Sequence, residues 1–191
     1  MLDGTPPLVN GAVICVDEAA VEEKLPRLME MGFEEFVVSP GLPIAPWKRA
    51  IAWAHQHERK VWGPLLARST LLEAIEAGQD GFHHLDVLME SRSGWDAAVE
   101  ADLARNAERV GAAGRAIVPT LAVWARRLLP PKEGTPELQY VTPFYVQTWQ
   151  ADLEARRAFF QREPARLTKG LEVVDLQGRI TKLLDDKGAK V

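Results

Sequence analysis

Two adjacent histidines, His83 and His84, are the residues of this chain whose types and spacing best suit chemistry. They lie near the end of a segment, Lys60 to Leu85, whose pattern is that of a strand, a short helix and a second strand. Where parallel strands form a barrel, functional groups are carried at the carboxyl ends of the strands. The sequence therefore places the pair at the edge where such a fold carries its site.

The neighbouring residues have structural interpretations as well as functional ones. Successive side chains of a strand point to opposite faces, so we expect His83 and His84 to diverge and not to bind one ion together. His84 either binds a metal with partners from other segments or is a strand-end imidazole held by hydrogen bonds. Asp86 either orients an imidazole or caps the following turn, and we favour the cap. Thr120 follows Pro119 at the end of another predicted strand, and we expect it to face the same edge.

A second histidine pair, His55 and His57, has the His-x-His spacing of a metal-binding motif, but it lies on a predicted helix instead of a strand. The pair ends a predicted helix that begins near Trp47. Side chains two positions apart on a helix do not share a face. A histidine near a helix C-terminus also has an ordinary electrostatic role. We therefore predict no metal role for this pair.

The composition is that of a globular chain of one domain. Of its 191 residues, 47% are hydrophobic and 26% are charged, which suits a folded core. The net charge of -4 is spread along the chain without a basic block, so we expect neither a nucleic acid nor a membrane as partner. The single cysteine, Cys15, lies in an apolar run and is expected to be a buried thiol of a cytoplasmic protein. No apolar run reaches the ~20 residues of a membrane span, and the N-terminal residues lack the pattern of a signal peptide.

Apolar segments and helix signals alternate along the first two thirds of the chain. Helix caps and stops separate them, such as Asp17 before the first helix and Gly78 after the third. This alternation implies parallel pairing and an α/β fold. A helical tail follows over about residues 137–187, where an aromatic face is expected to be core and where Gly170 and Gly178 weigh against one continuous second helix. The predicted strands are 11–16, 36–38, 61–65, 82–85 and 116–121, and the predicted helices are 17–31, 47–58, 69–77, 96–110, 143–162 and 165–187.

Five segments, in this order, resemble the amidohydrolase superfamily, in particular its imidazolonepropionase-like and Xaa-Pro dipeptidase-like metal-dependent hydrolases. Residues 31–38 are similar to the entry of the fourth strand of the family's barrel, and residues 60–85 to its fifth and sixth strand units. Residues 116–121 resemble the seventh strand, residues 140–149 a segment after it, and residues 183–191 the approach to the last strand. The resemblance implies a partial (β/α) barrel of about five parallel strands with a helical C-terminal tail, as a single domain over residues 1–191.

Most ligand positions of the family are changed in this chain. The family's fifth-strand histidine falls at Pro64 and its fourth-strand lysine near Val37. The glutamate that precedes the sixth-strand histidine is replaced by His83, so only His84 matches a metal-ligand position. The resemblance implies a divalent metal ion, zinc being the expected one, on His84, and a small-molecule substrate bound by His83 and Thr120, with hydrolysis of an amide or cyclic-amide C–N bond. Because a catalytic zinc ion generally needs three protein ligands, we expect the isolated chain to be inactive.

Two interpretations of function stay open at this point. The family's His-x-His motif would precede Gly11 and its Gly-Thr-Asp motif would follow Val191, so we expect these residues to be a segment of a longer hydrolase. Alternatively, the chain is a non-catalytic, barrel-derived binding or scaffold protein that has lost its metal ligands, an interpretation that Pro64 and Val37 favour. In either case an incomplete barrel leaves open sheet edges, through which we expect the chain to self-associate.

Overall fold

Parallel strands alternate with helices through most of the chain, and a helical region follows. A computed structural model describes residues 1–8, 11–89, 95, 99–128 and 139–191. A 3₁₀ turn over Leu85–Leu88 lies between the fifth strand and the fourth helix. The strands are β1 (Leu2–Asp3), β2 (Val13–Ile14), β3 (Glu35–Val37), β4 (Lys60–Gly63), β5 (Gly81–His83) and β6 (Ala116–Val118). The helices are α1 (Glu18–Glu30), α2 (Ile44–Gln56), α3 (Leu71–Ala77), α4 (Glu100–Ala112), α5 (Leu121–Leu128), α6 (Pro143–Arg162) and α7 (Pro164–Asp186).

The strands form two parallel sheets. One has the order β3-β4-β5-β6, and the other pairs β1 with β2. An isolated parallel bridge from Leu2 to Val38 places β1 beside the end of β3, and a second bridge joins Ala116 to Lys190. The α/β class with parallel strands is thus confirmed. Within the described residues no closed barrel forms, and the partial barrel of five strands is not confirmed, since six short strands lie in two sheets.

The two faces of the four-stranded sheet are buried to different extents. The register aligns Phe36 with Val61 and Phe82 with Ile117, and all four side chains are at most 3% exposed. Phe36 also meets the ring of Trp53 on α2 edge-on, at a centroid distance of 5.9 Å. This face is therefore the one that packs against helices. Because side chains alternate along a strand, the residue directly before or after each of these four belongs to the other face.

That second face carries partly buried side chains. Val37 and Trp62 pair across β3 and β4, while His83 pairs with Val118 across β5 and β6. Val118 is 45% exposed, and the other three are half-buried. His83 therefore reaches the sheet surface that the helices leave accessible.

The local signals that begin and end elements are clearest around α1, α3 and β6. Asp17 caps α1 by accepting a hydrogen bond from the Ala20 amide at 2.8 Å, as predicted. The cap of α3 is Thr70, in a capping box with Glu73, so the helix begins later than Ser69, where the sequence predicted its start. The strand predicted over 116–121 ends at Val118, because Pro119 has no N–H to donate. The predicted start of the fourth helix, residues 96–98, lies outside the described residues.

A buried polar network ties α2 to the strands that carry the histidines. The Trp47 indole, 1% exposed, donates from Nε1 to Gln79 Oε1 at 2.9 Å. The fully buried Gln79 amide donates in turn from Nε2 to the carbonyl oxygens of Gly63 at 3.0 Å and Gly81 at 3.1 Å. The Gln79 side chain thus links the end of β4 to the start of β5.

The described contacts divide the chain into two compact units, residues 1–119 with 180–191 and residues 120–179. The prediction of a single domain stays a prediction, because compact units are not by themselves domains. Cys15 in the first unit is fully buried, as expected. No described helix is long and apolar enough to cross a membrane.

The second unit corrects the expected aromatic core of the helical tail and agrees with its predicted last helix. The tail includes α5, which the sequence did not indicate, and residues 137–138 of its predicted range lie outside the described residues. Helix α6 has no buried residue, and Tyr140 and Phe144 are 84% and 71% exposed, so the aromatic side chains do not form a core. Helix α7 is continuous through Gly170 and Gly178. At Gly170 the reason is contact, since a Cβ there would lie 2.7 Å from a methyl group of Leu128.

Candidate functional site

The two candidate histidines are neighbours at the carboxyl end of β5. The His83 ring stacks on Trp62 at a centroid distance of 6.4 Å and an interplanar angle of 26°. The His84 ring lies edge-on to His83, with centroids 6.3 Å apart. The expectation that the two side chains point to opposite faces is wrong, because β5 ends at His83 and His84 leaves the extended conformation with φ of 67°. Strand alternation no longer applies one residue past the strand end.

Backbone strain marks two of the three predicted site residues. Thr120, which follows β6 and Pro119, has φ of 56°, and His84 has φ of 67°. Positive φ is uncommon for residues other than glycine and is a clear outlier for a β-branched side chain. Such conformations cost of order 1–3 kcal/mol and cluster at functional sites. The His84 amide donates to the Val118 carbonyl at 2.9 Å, which holds the strained residue in line with β6. The spacing of residues in the sequence carries no sign of either strain.

His83 is held in its neutral form by its surroundings. Burial beside Trp62 disfavours the imidazolium, and the neighbouring His84 adds a smaller repulsion, so the pKa of His83 is lowered from its ordinary value. A neutral imidazole offers one N–H donor and one nitrogen acceptor. His83 can therefore either donate a hydrogen bond to an amide carbonyl oxygen or accept one from an amide N–H.

The lowered pKa of His83 makes stability depend on pH in a defined direction. The unfolded chain takes up a proton at this residue near the ordinary pKa of about 6.5, whereas the folded chain does so only at lower pH. The folded state therefore loses stability as the pH falls from that value towards the folded pKa. We expect His83→Gln to make the decline shallower between about pH 7 and pH 5, measured by urea unfolding at stepped pH. His84→Gln, which removes only the neighbouring charge, should give an intermediate slope, and equal slopes for His83→Gln and the wild type would contradict the assignment.

The described residues do not by themselves fit a zinc ion. Among them, no group of three His, Cys, Asp or Glu side chains converges on one point, whereas a zinc site needs at least three ligands. Pro64 follows β4 and Val37 lies in β3, and neither side chain offers a ligand atom. The Asp86 carboxylate accepts a hydrogen bond from the Trp95 indole. Among the described residues, His84 is therefore a single candidate zinc ligand, without the two further ligands that a zinc site requires.

The second histidine pair has structural partners, as its position at a helix end suggested. His55 Nε2 lies 3.0 Å from Asp80 Oδ2, and the same carboxylate oxygen accepts from the Val61 amide at 2.9 Å. His57 Nδ1 lies 2.7 Å from the Trp53 carbonyl oxygen, and its ring stacks on Trp53 at 3.9 Å. His55 thus joins the end of α2 to the loop before β5 and, through Asp80, to β4, whereas His57 packs back on its own helix.

Two residues near the strand ends were missed by the sequence analysis. Asp3 is a fully buried carboxylate at the end of β1 that accepts hydrogen bonds from the Gly4 and Leu8 amides, at 2.8 and 2.6 Å, and from the Ser39 hydroxyl. It fixes the loop after β1 to the end of β3. Trp62 is the second, because its stacking on His83 depends on the register between β4 and β5. The start of the chain, with its Asp-Gly turn signal, could have indicated Asp3, but two residues of strand are too few to show a period.

Comparisons with known proteins give one likeness of fold. No protein-family model matches the sequence, and no curated protein sequence matches it. Among solved structures, the chain is similar to AH, the bottromycin amidohydrolase, with a TM-score of 0.74 and 22% sequence identity. The likeness covers 99% of this chain and 43% of that protein, so the chain spans less than half of its length. The chain thus shares the fold of part of an amidohydrolase.

Proposed function

We propose that this chain is the histidine-bearing segment of an amidohydrolase-like, metal-dependent hydrolase that acts on an amide or cyclic-amide C–N bond of a small molecule. The observation that carries the proposal is the strained His84 beside His83 at the carboxyl edge of the sheet. The fold shared with an amidohydrolase over 99% of the chain supports it, because enzymes built from parallel β/α units carry their sites at this edge.

In this proposal the residues of the chain have separate roles. His84 contributes one ligand to a divalent metal ion, zinc being the expected one, and the other ligands come from outside the described residues. A bound zinc ion would activate a water molecule. His83, neutral at physiological pH because burial lowers its pKa, donates or accepts one hydrogen bond to the substrate amide while Trp62 supplies a flat apolar wall. Thr120 offers a hydroxyl to the substrate from the end of β6.

Metal titration of the purified chain tests the role of His84. We expect Zn²⁺ to bind weakly and His84→Ala to lower the affinity at least about tenfold, measured by competition with a chromophoric chelator. His57→Ala is the matched control and should keep the wild-type affinity, since the His57 ring stacks on Trp53 and its Nδ1 hydrogen-bonds to the Trp53 carbonyl oxygen. Equal loss in both variants, or none in His84→Ala, would contradict the assignment. We also expect no hydrolysis of amide or cyclic-amide substrates by the chain alone, and metal-dependent turnover would show that no further ligands are needed.

We further propose that the chain self-associates through the edge of the sheet at β2. Val13 and Cys15 pair with the β1 side, so the Ile14 carbonyl faces the open edge, where the Lys24 ammonium binds it. Lysine at an edge strand hinders pairing with another chain. Lys24→Ala is therefore expected to strengthen a concentration-dependent association several-fold in sedimentation velocity, whereas Lys48→Ala, on α2, should leave it unchanged. A clean monomer for the wild type and for Lys24→Ala would contradict the proposal.

A further inference from the structure

One face of α6 carries large aromatic side chains that the described residues leave exposed. The whole of α6 is described, and none of its residues is buried. Tyr145, Trp149 and Phe159 are 54%, 49% and 38% exposed. A large aromatic side chain contributes more apolar surface than most residues, and contiguous exposed apolar surface marks interaction sites in soluble proteins. This face of α6 is therefore a candidate interaction surface.

The spacing of residues on this face is that of helices that pair. The exposed stripe consists of five residues at successive intervals of four, three, four and three positions: Tyr145, Trp149, Asp152, Arg156 and Phe159. Positions three and four apart lie on one face of a helix. A stripe with this alternation is the surface along which two helices pack in a coiled coil. The exposed stripe thus suits a second helix.

The order of side chains along the exposed stripe is complementary to its own reverse. Trp149 and Phe159 lie equally far from residue 154, one before it and one after it. Asp152 and Arg156 also lie equally far from residue 154. A two-fold axis at this position would make the helices of two copies antiparallel. Trp149 of each copy would then meet Phe159 of the other, and Asp152 of each would meet Arg156 of the other.

The charges distinguish this arrangement from a parallel one. In a parallel pair with equal register, Asp152 would face Asp152 and Arg156 would face Arg156, which is unfavourable because like charges repel. Within one helix Arg156 already forms an ion pair with Asp152, and the two side chains are 33% and 50% exposed. Around the two-fold axis, two such pairs would alternate in sign, so each charge gains a second opposite partner. The antiparallel arrangement also opposes the two helix dipoles.

We propose that the exposed stripe of α6 binds the same stripe of a second copy of this chain, antiparallel, across a two-fold axis at residue 154. The aromatic side chains provide the apolar contact, and the charged pair sets direction and register. Contact along one helix lies near the lower limit of specific interfaces, about 1,200 Å² in total. We therefore expect a weak dimer with a dissociation constant of about 10 μM. The proposal goes beyond the hydrolase function and does not use the sheet edge at β2.

Charge reversal tests the pairing, by sedimentation velocity of the full 191-residue chain. Asp152→Arg and Arg156→Glu each set like charges against each other across the axis. Each variant alone should therefore raise the dissociation constant at least about tenfold. An equimolar mixture of the two variants restores opposite charges across the axis and should associate as the wild type does. A role of these residues within their own helix would not produce recovery on mixing.

Two further variants serve as controls for charge and for folding. Glu154→Arg makes the same change of charge as Asp152→Arg on the opposite face of α6, so it should associate as the wild type does. Trp149→Ala should weaken association at least about tenfold while the urea unfolding curve stays close to that of the wild type, because Trp149 is exposed. None of these changes touches Lys24 or β2, so the two association surfaces can fail separately.

Four outcomes would each overturn the proposal. The first is a wild type that stays monomeric at about ten times the expected dissociation constant, which would leave the exposed stripe to a different protein. The others are unchanged association of Asp152→Arg, a loss of equal size in Glu154→Arg, and a mixture of Asp152→Arg with Arg156→Glu that does not recover.

Discussion

Replacing Gln79 with leucine is expected to lower the free energy of unfolding by about 4 kcal/mol, because leucine is apolar and removes three buried hydrogen bonds at once. Those hydrogen bonds join Gln79 to the Trp47 indole N–H, which is left without its acceptor, and to the carbonyl oxygens of Gly63 and Gly81, which keep the hydrogen bonds of the strand pairing. Gln79 and Trp47 are at most 1% exposed, so water cannot replace the lost hydrogen bonds without entering the core. Urea denaturation followed by circular dichroism measures the change.

A double variant separates unpaired polar groups from lost packing. Trp47→Phe in the wild type removes the indole donor and leaves the Gln79 oxygen without that hydrogen bond. When both partners are replaced, in Trp47→Phe/Gln79→Leu, the donor no longer needs an acceptor, so the double variant should lose less than the sum of the two single losses. We expect a coupling of about 1–2 kcal/mol. Strict additivity would mean that the two side chains do not depend on each other.

Gly81→Val is expected to destabilise the chain by about 3 kcal/mol, through overpacking of the sheet surface. A Cβ at Gly81 would lie 2.1 Å from the ring of Trp62, so the indole must swing away from the strand. Valine itself favours a strand, and its intrinsic propensity therefore opposes the effect instead of causing it. Because the same indole stacks on His83, its displacement should also bring the pKa of His83 closer to the ordinary value. Urea unfolding and an NMR titration of the histidine ring protons measure the two effects.

The chain offers controls for both parts of this prediction. Gly178 lies in α7 with no atom within 4 Å of an added Cβ, and Gly178→Ala should stabilise by up to about 1 kcal/mol, because alanine favours a helix. In a Trp62→Leu background the ring that meets the new side chain is absent, so Gly81→Val should cost clearly less there. An unchanged cost in that background would show that contact with Trp62 is not the cause.

The alternation of strands and helices could be predicted because apolar runs and turn residues are local. β3 to β6 lie where Phe36, Val61, Phe82 and Ile117 mark buried positions between glycine and helix signals. β1 could not be found, since Leu2 is its only apolar residue and its pairing is with distant segments. The aromatic face of α6 was wrongly predicted to be core for a related reason, because the burial of a helix face depends on what other segments supply.

The position of the histidines could be predicted, but their geometry could not. A histidine pair at the end of an apolar strand is visible in the sequence, whereas the relation between the two rings depends on the φ angle of His84. The stacking of Trp62 on His83 follows from the register of β4 on β5, which sets Trp62 opposite Gly81, two residues before the histidine and on the same face. Such register is fixed by long-range packing, and the buried Gln79 that bridges the two strands gives no sign of this role in the sequence.

The bridge between Ala116 and Lys190 has a consequence for how the chain tolerates changes in length. It closes a long loop, because the chain leaves β6, forms the helices of residues 120–179 and returns to pair at Lys190. The entropy lost when the ends of a loop are brought together grows only with the logarithm of loop length, by about 0.6 kcal/mol for each doubling. Insertions or deletions between Ala116 and Lys190 therefore change the closure entropy very little. The strands that carry His83 and His84 can stay paired while the intervening segment varies in length.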